Sequence, residues 1–481
     1  MIFSSLEINK EEPLYAQIEK HIIKSIEKGE LKKGSKLPST REVSELLNIS
    51  RNTIVTAYEN LESQGIVLSE KGKGTFVARE AKIVKDDYNI HWEDKINNYG
   101  KTCETLDIIK TELPWKKGMI SFKSIAPEEK LFDLEEFKRS FLEIWSLEGE
   151  KLLNYGYAKG YKPLIEYLLQ YMREKGVNTE GKDILITNGF TEGFDIILAA
   201  LTNAKDIILC EEPTHNTALK IMKAYGLKIL SVPMDEGGIN VAQLEKALKE
   251  ESPKLAYLIP SYHNPTGIVM KGERRRKVYD LFKKYSVPII EDGFNEELLY
   301  SSSPIEPMAA LASRGNGVVY IGSFSKILFP GLRIGWILAD KALIDTLESV
   351  KRAKTIHCSF LDQGVFYHYM KSGAFNKYLK KARKIYKNKY NFTIQQVKEY
   401  IPHEFIMGEG GLHVFLKLKR GIDSREVLRL CYERGVLFTP GDIFYNNSKE
   451  ISTLRLGFSR LSEEEIKKGI KIIGEVVKSL E

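Results

Sequence analysis

The chain has 481 residues, of which 43% are hydrophobic, 10% aromatic and 28% charged, a composition that excludes a mainly disordered, collagen-like or coiled-coil protein. Single hydrophobic cores stop growing at roughly 250–300 residues, so two or more folded units are expected. The net charge is only +7, and residues 1–80 carry 12 acidic and 12 basic side chains, so the charge total neither demands nor excludes a polyanionic partner.

The N-terminus carries Glu7, Glu11 and Glu12 where a secretory signal needs an apolar stretch, and no apolar run approaches the roughly 20 residues of a membrane span. Cys103, Cys210, Cys358 and Cys431 are far apart and form no CxxC pair, which indicates neither a disulfide framework nor a local zinc or other metal site. A soluble cytoplasmic protein is expected.

Pro13 opens a segment in which Leu14, Ile18, Ile22 and Ile26 recur every four residues up to Gly29, predicting an amphipathic helix. Ser39-Thr40-Arg41-Glu42 has the spacing of a capping box ahead of Val43, Leu46 and Leu47, predicting a short second helix. Ser50 can cap a third, with Ile54, Ala57, Tyr58 and Leu61 inward and Gly65 as its stop. Ile66-Val67-Leu68 and Thr75-Phe76-Val77 then flank Lys71-Gly72-Lys73-Gly74, a hairpin with a basic, glycine-rich tip.

Three short helices and a two-stranded wing make a winged helix-turn-helix, whose third helix enters the major groove of double-stranded DNA. The first turn of that helix is Ser50-Arg51-Asn52-Thr53. Arginine can fork onto guanine or phosphate, asparagine can pair with adenine, and hydroxyls with helix N-terminal amides can hold phosphate oxygens. Through PLYAQI, LPSTREVSELLNISRNTIVTAYENLESQGIV and GKGTFV, about residues 10–78 resemble the GntR family of winged-helix regulators. The DNA-contacting residues so implied are Ser39, Thr40, Arg41, Ser50, Arg51, Asn52, Thr53, Lys71, Lys73 and Gly74.

From Arg79 to about Trp115 the chain is polar, with Lys85-Asp86-Asp87 and few periodic apolar residues, and reads as a linker over 79–115. Tyr88, Ile90, Trp92 and Tyr99 could dock on a neighbouring surface.

Beyond residue 116, short β-branched runs alternate with helical stretches: Ile184-Leu185-Ile186, Ile207-Ile208-Leu209, Leu255 to Ile259, Pro288-Ile289-Ile290 and Val318-Val319-Tyr320-Ile321. This pattern predicts an α/β unit over 116–481 with a mostly parallel sheet, whose ligands gather at the carboxyl ends of strands. The polar signals fall there: Asn188-Gly189-Phe190-Thr191, Asn264-Pro265-Thr266-Gly267, Glu291-Asp292 and Ser323-Phe324-Ser325-Lys326. Together they supply what a pyridoxal phosphate pocket requires: a lysine for the Schiff base, a carboxylate for the pyridinium, and amides, hydroxyls and an arginine for the phosphate.

Residues 116–481 resemble fold-type I aminotransferases of the aspartate aminotransferase class, through Tyr155-Gly156-Tyr157-Ala158-Lys159-Gly160, HNPTG, ED, SFSK, PGLRIGW, GGLHVFL and LRLGFS in family order. The resemblance implies pyridoxal 5'-phosphate as cofactor, Lys326 as Schiff-base and catalytic lysine, Asp292 on the pyridinium and Asn264 on the ring hydroxyl. It implies Ser323, Ser325, Arg333 and the Gly189-Phe190-Thr191 turn on the phosphate, and Arg455 on the α-carboxylate of an amino acid. Two positions depart from the family pattern. Phe294 stands where relatives carry a tyrosine, and His215 where they often carry a larger aromatic residue stacked on the ring. Both argue against efficient transamination. Cys358, His357 and His413 are expected in the core or pocket wall.

A GntR-like head on an aminotransferase-like body resembles the MocR/GabR family of transcription regulators over nearly the whole chain. That resemblance implies a head-to-tail homodimer that binds operator DNA and senses pyridoxal phosphate, an amine or an amino acid. The other reading is a working aminotransferase with an accessory head.

Overall fold

The computed structural model describes residues 2–3, 6, 8, 12–78, 89–293, 295–298, 300, 305–419, 421–447 and 450–481. Glu7, Glu11 and 79–88, with Tyr88 and the Lys85-Asp86-Asp87 run, lie outside them. Two compact units divide between Lys95 and Ile96.

In the first unit, α1 (Leu14–Glu27), α2 (Thr40–Leu47) and α3 (Arg51–Ser63) precede a hairpin of β1 (Val67–Glu70) and β2 (Gly74–Val77). Ser39 and Glu42 form the reciprocal capping box of α2, and the Ser50 hydroxyl accepts the Asn52 amide at the start of α3. Ile18, Ile22, Ile26, Val43, Ile54, Ala57, Tyr58, Leu61 and Val67 form one buried core. Leu46 and Leu68 do not join it and are 46% and 53% exposed. A small domain has too little interior to receive every apolar residue of its periodic stripes.

The second unit is built on eight strands among the described residues. In chain order the seven longer ones are β3 (Lys182–Thr187), β4 (Ile207–Glu212), β5 (Lys228–Asp235), β6 (Leu255–Leu258), β7 (Ile289–Asp292), β8 (Val318–Ser323) and β9 (Gly335–Asp340). Their spatial order is β3-β9-β8-β7-β6-β4-β5, with Gly238–Ile239 added at the β5 edge. Pairing is parallel from β8 through β5, whereas β9 lies antiparallel between β3 and β8. Both faces are covered, by two separate sets of buried side chains, which is why these strands read as continuous apolar runs.

A smaller sheet joins β10 (Phe405–Met407), β11 (His413–Lys417), β12 (Thr439–Pro440) and β13 (Thr453–Gly457) in the order β10-β11-β13-β12. Val414, Leu416, Leu454 and Leu456 pack into a third core on one face. Alternation puts His413, Phe415 and Arg455 on the other.

The stretch expected as a linker is partly body. Asn98–Thr105 and Ile108–Thr111 are helical within the second unit, with Tyr99 edge-on to Tyr225 at 5.7 Å and Lys220 facing Asp107 at 3.8 Å. Short polar helices with one anchoring aromatic give no periodic signal. No helix among the described residues is long and apolar enough to cross a membrane.

Candidate functional site

The carboxyl ends of β3, β6, β7 and β8 converge with one face of the smaller sheet. After β3, Gly189 adopts φ +81°, a left-handed conformation that favours glycine, and caps helix α4 (Phe190–Leu201). The start of β9 approaches so closely that a Cβ on Gly335 would lie 2.7 Å from the Gly189 Cα. The Arg333 guanidinium donates to the Asn188 carbonyl at 3.0 Å and to the Ser325 hydroxyl at 3.2 Å. The Ser325 amide in turn donates to Ser323 Oγ at 3.3 Å, and Thr191 is exposed in the first turn of α4. An exposed arginine, hydroxyls and a helix N-terminus thus gather at one strand end, the chemistry of an anion site.

Glu291 and Asp292 end β7 and point to opposite faces. Glu291 accepts the Met308 and Ala309 amides at 2.7 and 2.8 Å, so it caps a helix. Asp292 accepts the Tyr257 hydroxyl at 2.8 Å and has no cationic partner among the described residues. Burial pushes its carboxyl up to about 7, against the Tyr257 hydrogen bond, with Glu296, Glu211 and Glu291 adding repulsion.

Lys326 follows β8. Burial, then the positive charges of Arg455, Arg333 and Arg460, push its amine down to about 8. Arg455 is buried, donates to Asn264 Oδ1 at 2.8 Å, and lies over the Phe444 ring at 4.9 Å. Its Nε has no partner and it makes no ion pair among the described residues. His215 caps the helix after β4, its ring 5.4 Å from that of Phe190. Burial, then Lys326, Arg455 and His263, push it down to about 3, so it is a neutral ring. Phe294 lies outside the described residues.

In the head, Arg51, Asn52, Lys71 and Lys73 are exposed. Arg51 Nε donates to Thr40 Oγ1 at 3.2 Å, linking the two helices of the turn. Arg41 pairs with Glu45 and Lys73 with Glu70, each at 3.0 Å. Such exposed pairs are weak and open readily toward a phosphate. Gly74 lies at φ +118°, which favours glycine, and a Cβ there would meet only the movable end of the Lys36 side chain, 2.7 Å from Cε.

Sequence reasoning missed Tyr257, the Asp292 partner, because it lies inside a strand run read as apolar. A buried tyrosine hydroxyl needs a partner, and that was the available signal. It also missed Lys351, buried on the helix after β9. All four cysteines are free, and no group of three or more His, Cys, Asp and Glu among the described residues could hold a metal ion.

Residues 125–473 match the model of the aminotransferase class I and II family, and residues 14–77 that of the bacterial regulatory proteins, gntR family. The chain belongs to the aminotransferase class I and II family. It is a MocR/GabR-type member, with the gntR head in front. The head implies DNA binding. The chain is 32% identical to aromatic-amino-acid aminotransferase 1 of Thermococcus litoralis, over 82% of this chain and 95% of that protein. It is 25% identical to the probable rhizopine catabolism regulatory protein MocR of Rhizobium meliloti, over 98% of this chain and 94% of that protein. Among solved structures, the α-aminoadipate aminotransferase LysN of Thermus thermophilus, complexed with N-(5'-phosphopyridoxyl)-L-leucine, superposes with a TM-score of 0.76 at 28% identity, covering 81% of this chain and 99% of that one.

The aminotransferase class I and II fold implies pyridoxal 5'-phosphate, and the residues present fit it. Asp292 is a buried carboxylate without a cation, Arg455 a buried cation without a carboxylate, and the Gly189 turn beside Arg333 is a ready phosphate cradle.

Proposed function

We propose that this chain is a DNA-binding transcription regulator whose aminotransferase-like unit binds pyridoxal phosphate through Lys326 and senses an amine, an amino acid or the cofactor itself. The observation that carries the reading is a joint one. An exposed, Ser50-capped recognition turn and a buried Arg455 with no carboxylate partner belong to a single chain. Bound cofactor would supply an electrophilic aldehyde carbon and an electron-accepting ring.

The chain's own residues do the rest. Lys326 offers an amine whose proton is easily lost, Asp292 holds the proton of the ring nitrogen, and Asn264 reaches the ring hydroxyl. Neutral His215 covers a ring face, while Ser323, Ser325, Arg333 and the Gly189-Phe190-Thr191 turn hold the phosphate. Arg455 receives the carboxylate of an amino-acid effector. Residues 1–78 form the head and 79–115 the tether, whose later part is already packed in the body from Ile96. Two copies assemble as a head-to-tail homodimer so that two heads read two half-sites. An effector moves the heads only through its different affinity for their two arrangements.

A second reading, an aminotransferase with an accessory head, is favoured by the 32% identity to an aminotransferase and by the joint presence of Lys326, Asp292 and Arg455. Full-length protein with pyridoxal phosphate should absorb in the visible, lose that absorption in Lys326→Ala, and retard DNA from its own promoter. Turnover of amino acid and keto acid at ordinary enzyme rates, without sequence-selective DNA binding, would establish the second reading instead.

A further inference from the structure

Resting on the cofactor reading above, we propose that Lys351 is a positioning residue for the phosphate-binding turn and sets the preference for phosphorylated over unphosphorylated pyridoxal. Lys351 lies on α5 (Lys341–Thr355) and is completely buried. Its ammonium donates to the Ala158 carbonyl at 2.6 Å and to the Ile186 carbonyl at 2.7 Å, and it makes no ion pair among the described residues. A buried ammonium held by two neutral carbonyls, with the Cys358 thiol as a third neighbour, is a costly way to join two segments, so what it joins must gain from being fixed.

What it joins is the base of the cradle. Ile186 stands two residues before Asn188, and its amide donates to the Lys159 carbonyl at 2.9 Å. Lys351 thus ties the loop around Ala158 to the end of β3 from the other side of that bond. The same helix grips the turn a second time. Thr355 donates to Glu192 Oε1 at 2.9 Å, and Glu192 Oε2 accepts the Asn188 amide at 2.5 Å. With Arg333 on the Asn188 carbonyl at 3.0 Å, the backbone on both sides of that residue is held. Removing the ammonium loosens Ile186 and, through it, the orientation of Gly189 and the first turn of α4. Asp292 and Asn264, which meet the ring, lie on other strands and loops and keep their own partners, Tyr257 and Arg455. The loss therefore falls on the phosphate.

The test titrates cofactor-free full-length chain with pyridoxal phosphate and with pyridoxal, reading visible absorption, in wild type, Lys351→Met, Lys351→Gln and Lys351→Arg. In Lys351→Met, affinity for pyridoxal phosphate should fall about tenfold or more while that for pyridoxal changes by less than about twofold, the size expected for losing hydrogen bonds from a charged donor. Lys351→Gln, with one short donor left, should fall between. Lys351→Arg should recover to within about threefold of wild type, because a guanidinium can serve both carbonyls. Equal losses for both aldehydes, no loss in a folded Lys351→Met chain, or unfolding of both the Met and Gln variants would overturn the proposal, since the lysine would then serve the whole unit or nothing. A wild-type chain that develops no Lys326-dependent absorption with either aldehyde overturns the cofactor reading itself and this inference with it, and the failure of wild type sets that case apart.

Discussion

A lysine adds to an aldehyde only as the neutral amine, so the setting of Lys326 has a direct kinetic consequence. Burial and three arginines hold that amine near 8, below the ordinary lysine range. Below that pH it is protonated and unreactive; above it the neutral form dominates. Capture of pyridoxal phosphate by cofactor-free protein should therefore accelerate with pH through a midpoint near pH 8 and level off above about pH 9, measured by rapid-mixing absorbance. Arg455→Met removes one of the repelling charges and should move the midpoint upward. A rate that stays flat across that range would mean that the local charges do not govern the amine. At this scale the residue types at the site were readable from the sequence because each stands in a motif of fixed spacing. Tyr257 and Lys351 were not, because their roles come from partners 35 and at least 165 residues distant in the chain.

The elements of the head follow from local chemistry. Caps, glycine stops and a four-residue apolar repeat are satisfied within a few residues of one another, so α1, α2, α3 and the wing were legible before any packing was known. Ser39→Ala should cost the head about 1 kcal/mol, seen as a lower thermal midpoint of its transition, because the Glu42 amide loses its acceptor while only the bond from the Ser39 amide to the Glu42 carboxylate remains. Arg51→Ala is expected to weaken operator binding by about tenfold, the worth of a good arginine contact, while the visible absorption of the cofactor stays as in wild type. A variant that loses both has misfolded and says nothing about DNA. In the body, the β-branched runs located five strands, but the sequence did not announce β5 or the antiparallel β9. Trp336 to Ala339 are buried, and an apolar run reads the same in either direction.

For the molecule as a whole, the body leaves large apolar side chains in water along one stretch of chain: Leu134, Leu142, Leu147, Leu153, Tyr155 and Tyr157 are 52–82% exposed. Single exposed leucines are common, but this many exposed large apolar side chains on Leu134–Leu152 and the loop after it call for cover. A second copy would supply it in the proposed homodimer. The full chain should sediment as a dimer, and Leu147→Glu should shift it toward monomer without loss of helix content; a wild-type chain that is monomeric at micromolar concentration would remove the dimer from the proposal. The sequence by itself determined the head, its caps, the order of the two units and the residue types at the site, because those signals are local or rest on fixed motif spacing. Tertiary structure alone decided that Arg455 meets Asn264 without a carboxylate, that residues 96–115 belong to the body, and that a lysine on α5 underlies the turn. Those outcomes depend on which strands become neighbours, and contacts between segments more than a hundred residues apart leave no trace in the local pattern of either.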